Sequence, residues 1–107
     1  MEKREGILLN THFVNKMSIG GKLGWFSREH NASTGYSWSC IPDNSGVYEI
    51  VEEIILHPST DAVGVPGMNI WKFKAMRDGK GSVMFELFPP AGKEPAEKIL
   101  IEIEVDR

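Results

Sequence analysis

The chain has 107 residues, 41% of them hydrophobic and 25% charged, with a net charge of -3. That is ordinary composition for one globular domain, residues 1–107, with a single core. No apolar run approaches the roughly 20 residues that cross a bilayer. Nor do the twelve basic residues cluster into the positive surface that counterion-driven nucleic-acid binding requires, so neither a membrane nor a nucleic acid is an expected partner.

Seven segments read as strands, because β-branched and aromatic residues alternate with polar ones between clusters of Gly, Pro, Asn, Asp and Ser. They lie near 7–14, 20–29, 35–41, 47–57, 68–77, 81–88 and 97–106. The first follows a short polar start, and its apolar stretch at 7–9 is too brief for a secretory signal. No leader is expected, and a cytoplasmic or a vesicular, lysosomal-type compartment both fit. Trp25 in the second segment and Trp38 in the third read as packing aromatics.

Cys40, the only cysteine, excludes an intrachain disulfide and reads as a small buried hydrophobe rather than a nucleophile. The fourth segment is the least regular, with Glu52 and Glu53 adjacent. On a strand they point to opposite faces and cannot act as a carboxylate pair. In the fifth, Trp71, Phe73 and Ala75 alternate with Ile70, Lys72 and Lys74, which puts the aromatic set on one face. In the sixth the inward set is Val83, Phe85 and Leu87, leaving Phe88 outward and exposed. The last, with Ile99, Ile101, Ile103 and Val105 at every second position, is the clearest.

Seven short strands with such turn spacing predict an all-β fold, an immunoglobulin-like antiparallel β-sandwich, with an open barrel as the alternative. If each strand reverses the one before it, the connections 30–35, 57–67 and 89–95 all fall at one end. These are here called the first, second and third loops. Loops on a rigid scaffold are where binding chemistry usually sits. Catalytic chemistry is thin by comparison: His12, His30 and His57 stand far apart without ligand spacing, and no phosphate loop is present. Neither metal nor cofactor is expected, and the chain does not read as an enzyme.

The three loops carry a constellation. The first runs Asn31-Ala32-Ser33-Thr34-Gly35-Tyr36-Ser37-Trp38. The second ends in Gly64-Val65-Pro66-Gly67 before the aromatic-bearing strand Met68-Asn69-Ile70-Trp71. The third opens with Phe88-Pro89-Pro90 after the strand led by Gly81. Together they resemble the chagasin family of cysteine-protease inhibitors. That family's first loop reads Asn-Pro-Thr-Thr-Gly, an aromatic, one further residue and Trp; its second has a Gly-rich turn, and its third an Arg-Pro-Trp. Here Ala32 stands for the loop proline, Pro66 lies inside the glycine turn, and Phe88 and Pro90 flank Pro89.

The resemblance implies a reversible, non-covalent, competitive inhibitor of papain-like, cathepsin-type cysteine proteases that is a monomer when free. It also implies that the first loop (Asn31, Ala32, Ser33, Thr34, Gly35, Tyr36) enters the catalytic cleft. Gly64, Val65, Pro66 and Gly67 of the second loop, with Phe88, Pro89 and Pro90 at the third, would then grip the walls. Asn, Ser and Thr in the first loop can bond their own backbone and stiffen it. Asn31-Ala32-Ser33 is also a glycosylation sequon, and a glycan there would cap the loop. The competing reading is an immunoglobulin-like adhesion or ligand-binding module without a protease target, which fold alone does not exclude.

Overall fold

A computed structural model describes residues 6–30, 35–57 and 67–106. The described residues form eight strands: β1 (Ile7–Leu8), β2 (Asn15–Ser18), β3 (Gly24–His30), β4 (Ser37–Pro42), β5 (Tyr48–Leu56), β6 (Gly67–Ala75), β7 (Gly79–Phe88) and β8 (Glu97–Asp106). They make two four-stranded sheets, in the orders β1-β3-β6-β5 and β2-β8-β7-β4. β1 lies parallel to β3 and β2 parallel to β8, so both sheets are mixed rather than wholly antiparallel; the other pairings are antiparallel.

The period-two segments bury the faces their alternation predicts. Ile99, Ile101, Ile103 and Val105 on β8 meet Trp71, Phe73 and Ala75 on β6 in one buried cluster. Phe85 on β7 is its hub. Its ring centroid is 4.7 Å from that of Phe26 on β3, 4.7 Å from that of Trp71 and 6.4 Å from that of Phe73. A ring from the second sheet thus inserts among three from the first, the interdigitation that holds a sandwich together. Leu87, expected inward with Val83 and Phe85, is only half-buried where the core thins toward the end of β7.

Of the segment expected as a strand at 7–14 only Ile7–Leu8 is one, and a further strand, Asn15–Ser18, lies in the other sheet between the segments expected at 7–14 and 20–29. Ile7 and Leu9 donate to the Leu23 and Trp25 carbonyls of the first sheet at 2.8 and 2.9 Å, and the chain then crosses to pair Asn15 with Ile103 in the second. The buried Asn15 side chain clamps the crossing. Its Nδ2 donates to the carbonyls of Asn10 (2.9 Å), Phe13 (3.3 Å) and Glu102 (2.9 Å), and its Oδ1 accepts from the Asn10 amide at 2.6 Å.

Asn15→Ala leaves partly buried backbone groups without partners. At roughly 0.5–1.5 kcal/mol per net hydrogen bond, the expected loss is about 2–4 kcal/mol. For a domain of this size that is a fall in Tm of about 10–20 °C, read by a thermal melt.

β5 carries a bulge between Ile50 and Glu52. Before it, Tyr48 and Ile50 pair with inward residues of β6; after it, Glu53 and Ile55 take the inward parity, opposite Trp71 and Asn69. Glu52 turns outward to meet Lys72 Nζ at 3.4 Å. An extra residue shifts side-chain parity by one, so β5 leaves the core as it approaches the second loop.

The opposite pole is pinned by polar groups. Asp43 accepts the Ser45 and Ser82 amides at 3.0 and 2.7 Å, and the Tyr48 hydroxyl donates to the Ser82 carbonyl at 2.7 Å. Burial pushes the Tyr48 phenol up to about 12. Partial burial also pushes the Asp43 carboxyl up, but the backbone amides of Ser45 and Ser82 outweigh it, and the carboxyl lies below its ordinary value on balance.

Candidate functional site

The described flanks of the three loops gather at the pole away from Asp43. In the first sheet, His30 at the end of β3 pairs with Gly67 at the start of β6, and Leu56 at the end of β5 pairs with Met68. The first and second loops therefore leave the sheet side by side. In the second sheet, Ser37 at the start of β4 pairs with Phe88 at the end of β7, which sets the first and third loops together. The Trp38 indole Nε1 donates to the Glu29 carbonyl at 3.1 Å, tying the two strands that carry the first loop across the sandwich.

Of the predicted site residues, Gly35, Tyr36, Gly67, Phe88, Pro89 and Pro90 are described, whereas Asn31, Ala32, Ser33, Thr34, Gly64, Val65 and Pro66 lie outside the described residues. Gly35 has φ 79°, in the left-handed region that favours glycine. A Cβ on it would come within 2.9 Å of Pro90 Cγ. Tyr36 is 39% exposed. Gly67 is buried, and a Cβ there would fall on the Leu56 carbonyl oxygen.

The third loop opens with a tight turn: the Gly92 amide donates to the Pro89 carbonyl at 3.1 Å, Ala91 has φ 56°, and the Ala96 amide returns to the Leu87 carbonyl at 2.7 Å. Phe88 departs from its expected place. It is half-buried rather than exposed, and it is still a paired strand residue, opposite Ser37, not part of the loop tip.

Cys40 faces inward from β4, half-buried and packed against the core. Burial, with a smaller contribution from the Glu53 charge, pushes its thiol up to about 12. It therefore stays protonated at neutral pH, and a thiol rather than a thiolate is a poor nucleophile. Among the described residues, no group of three His, Cys, Asp or Glu side chains could hold a metal ion.

Sequence reasoning missed three features of this pole: the Trp38 to Glu29 bond, the seat of Pro90 on Gly35, and the contact that excludes a side chain at Gly67. The sequence signalled only the last, as a glycine directly before a strand. The Trp38 bond depends on the spacing between the sheets, and the seat of Pro90 on the long-range pairing of β4 with β7.

Fold and site together define an immunoglobulin-like β-sandwich protein in which the described flanks of three connections gather at one pole. Within that class the chain belongs to the chagasin family of peptidase inhibitors, which are not enzymes: the sequence profile of the Chagasin family peptidase inhibitor I42 matches residues 21–105. No curated protein matches it in sequence.

Several solved structures share the fold, among them the following three. The cysteine protease inhibitor EhICP2 from Entamoeba histolytica is 19% identical with a TM-score of 0.74, over 94% of this chain and 96% of that one. Amebosin is 16% identical with a TM-score of 0.69, over 98% and 100%. PbICP-C, determined in complex with falcipain-2, is 18% identical with a TM-score of 0.60, over 94% and 89%.

Proposed function

We propose that the protein is a reversible, non-covalent, competitive inhibitor of papain-like, cathepsin-type cysteine proteases. The first loop (31–36) enters the catalytic cleft, and the second and third loops (64–67 and 88–90) rest on its walls. The observation that carries this reading is the grouping of loop flanks at one pole, with His30 in register with Gly67 and Pro90 against Gly35. A neighbour of the same fold is found in complex with falcipain-2.

A papain-like protease holds a thiolate beside an imidazolium at the bottom of a narrow groove. Such a groove is blocked by a ridge that fills it without offering a carbonyl in attack geometry. A ridge braced on a rigid sandwich loses little conformational freedom on docking, which favours tight binding without a covalent bond. Cys40 does not supply a nucleophile, since its thiol is held protonated and packs against the core.

Titration of a small panel of papain-like enzymes with the full chain tests the proposal. The expected result is loss of turnover at one inhibitor per enzyme, relieved by excess substrate and by dilution, with the inhibitor recovered uncut by mass spectrometry. Turnover untouched at stoichiometric protein across the panel would support the adhesion or ligand-binding module instead.

A further inference from the structure

In the third loop the apolar groups turn toward the rest of the molecule. Phe88 is half-buried in a paired strand position. Pro89 is half-buried beneath Gly92, where a Cβ would collide with its ring. Pro90, although exposed, lays its ring on Gly35: a Cβ at that glycine would stand 2.9 Å from Cγ and 3.1 Å from Cβ of the proline.

Gly35 is thus denied a side chain by its φ of 79° and by the ring against it. The ring belongs to the stiffest dipeptide available. Each proline fixes its own φ, and Pro90 also restricts Pro89 before it. The turn that follows is closed by the bond from the Gly92 amide to the Pro89 carbonyl, so the buttress is anchored on both sides.

We infer that Pro90 is a positioning residue that acts through Gly35. Pro90 serves recognition by fixing the conformation in which the first loop enters β4, rather than by its own contact with the target. This rests on the inhibitor reading above and assigns a different role to one of its residues. If the binding-competent arrangement of the first loop is only partly populated, apparent affinity falls by that fraction. Removing the buttress should therefore weaken inhibition without unfolding the protein.

The test uses the full chain with Pro90→Ala, Gly35→Ala and the double variant. Inhibition of a papain-like protease is measured beside the melting temperature and the hydrogen exchange of the Gly35, Tyr36 and Ser37 amides in the free protein. Pro90→Ala is expected to weaken inhibition about tenfold, the size of a population shift from a dominant to a minor competent state. The Tm should hold, and exchange at those amides should rise.

The two single effects should fall short of their product in the double variant, because the clash with the ring is shared by both changes while the cost of the positive φ at Gly35 is not. D-alanine in place of Gly35 keeps the positive φ and turns its methyl away from the ring, and should leave the exchange of the Tyr36 and Ser37 amides in the free protein at the wild-type level. Unchanged exchange in Pro90→Ala, or single effects that multiply as independent ones, would overturn the inference. A wild-type chain that inhibits no protease would instead overturn the functional reading, and the exchange measurement would still decide whether Pro90 holds Gly35.

Discussion

Gly67→Ala is expected to lower the melting temperature by about 10–20 °C and to weaken protease inhibition together. Gly67 is buried at the first position of β6, in register with His30. An added Cβ would fall on the Leu56 carbonyl oxygen, 3.2 Å from the carbonyl carbon and 3.4 Å from His57 Cα. All three atoms are backbone, so no rotamer change relieves the clash; the end of β5 must move away from β6. Overpacking of this kind costs typically about 1–3 kcal/mol and sometimes more, and the upper end is expected where backbone meets backbone. That free energy corresponds to the stated fall in Tm.

Inhibition suffers as well because both ends of the second loop leave from this pair of strands. Gly20→Ala is the control. Gly20 has φ 78° but nothing within 4 Å of its added Cβ, so it bears only the left-handed cost of about 1–2 kcal/mol. If Gly67→Ala melts no lower than Gly20→Ala and inhibits normally, the backbone collision is not what constrains this position.

The parts of the fold that were legible in the sequence are those whose information is local. The alternation of Ile99, Ile101, Ile103 and Val105, and of Trp71, Phe73 and Ala75, reports burial directly because side chains on a strand alternate faces. The crossing after Leu8 was not legible. It is held by a bond from Asn15 Nδ2 to the Glu102 carbonyl, 87 residues away, and by the pairing of 15–18 with β8. The bulge in β5 left only a trace, the adjacent Glu52 and Glu53. Their opposite faces follow from strand geometry, but the shift of parity at Val51 depends on pairing with β6.

At the candidate site, Gly and Pro punctuation marked where the loops begin and end. The register of His30 with Gly67 comes from the pairing of β3 with β6, and the ring of Pro90 on Gly35 from the pairing of β4 with β7, which sets the two turns side by side. No single segment encodes that. Phe88 illustrates the same limit: alternation gave its outward direction, whereas the pairing of β4 up to this last residue of β7, which keeps it in the strand, is a long-range property.

Thr34→Glu is expected to weaken inhibition by about 100- to 1,000-fold, some 3–4 kcal/mol of binding free energy, while the melting temperature stays within about 2 °C, as for most loop-tip substitutions. In the proposed mode the first loop meets the thiolate and imidazolium at the floor of the cleft. A carboxylate brought there must shed its water, which costs several kcal/mol for a poorly paired ion, and it stands beside the negative sulfur. The same charge costs the free protein little where water can reach it.

The comparison with Pro90→Ala then ranks the loops. A residue that occupies the cleft should cost far more on removal than one that steadies it, so the expected order is a hundredfold or more at Thr34 against about tenfold at Pro90. Inhibition constants for both variants against one enzyme, with melts on the same samples, give the answer. Should Thr34→Glu inhibit as the wild type does while Pro90→Ala abolishes inhibition, the third loop rather than the first occupies the cleft.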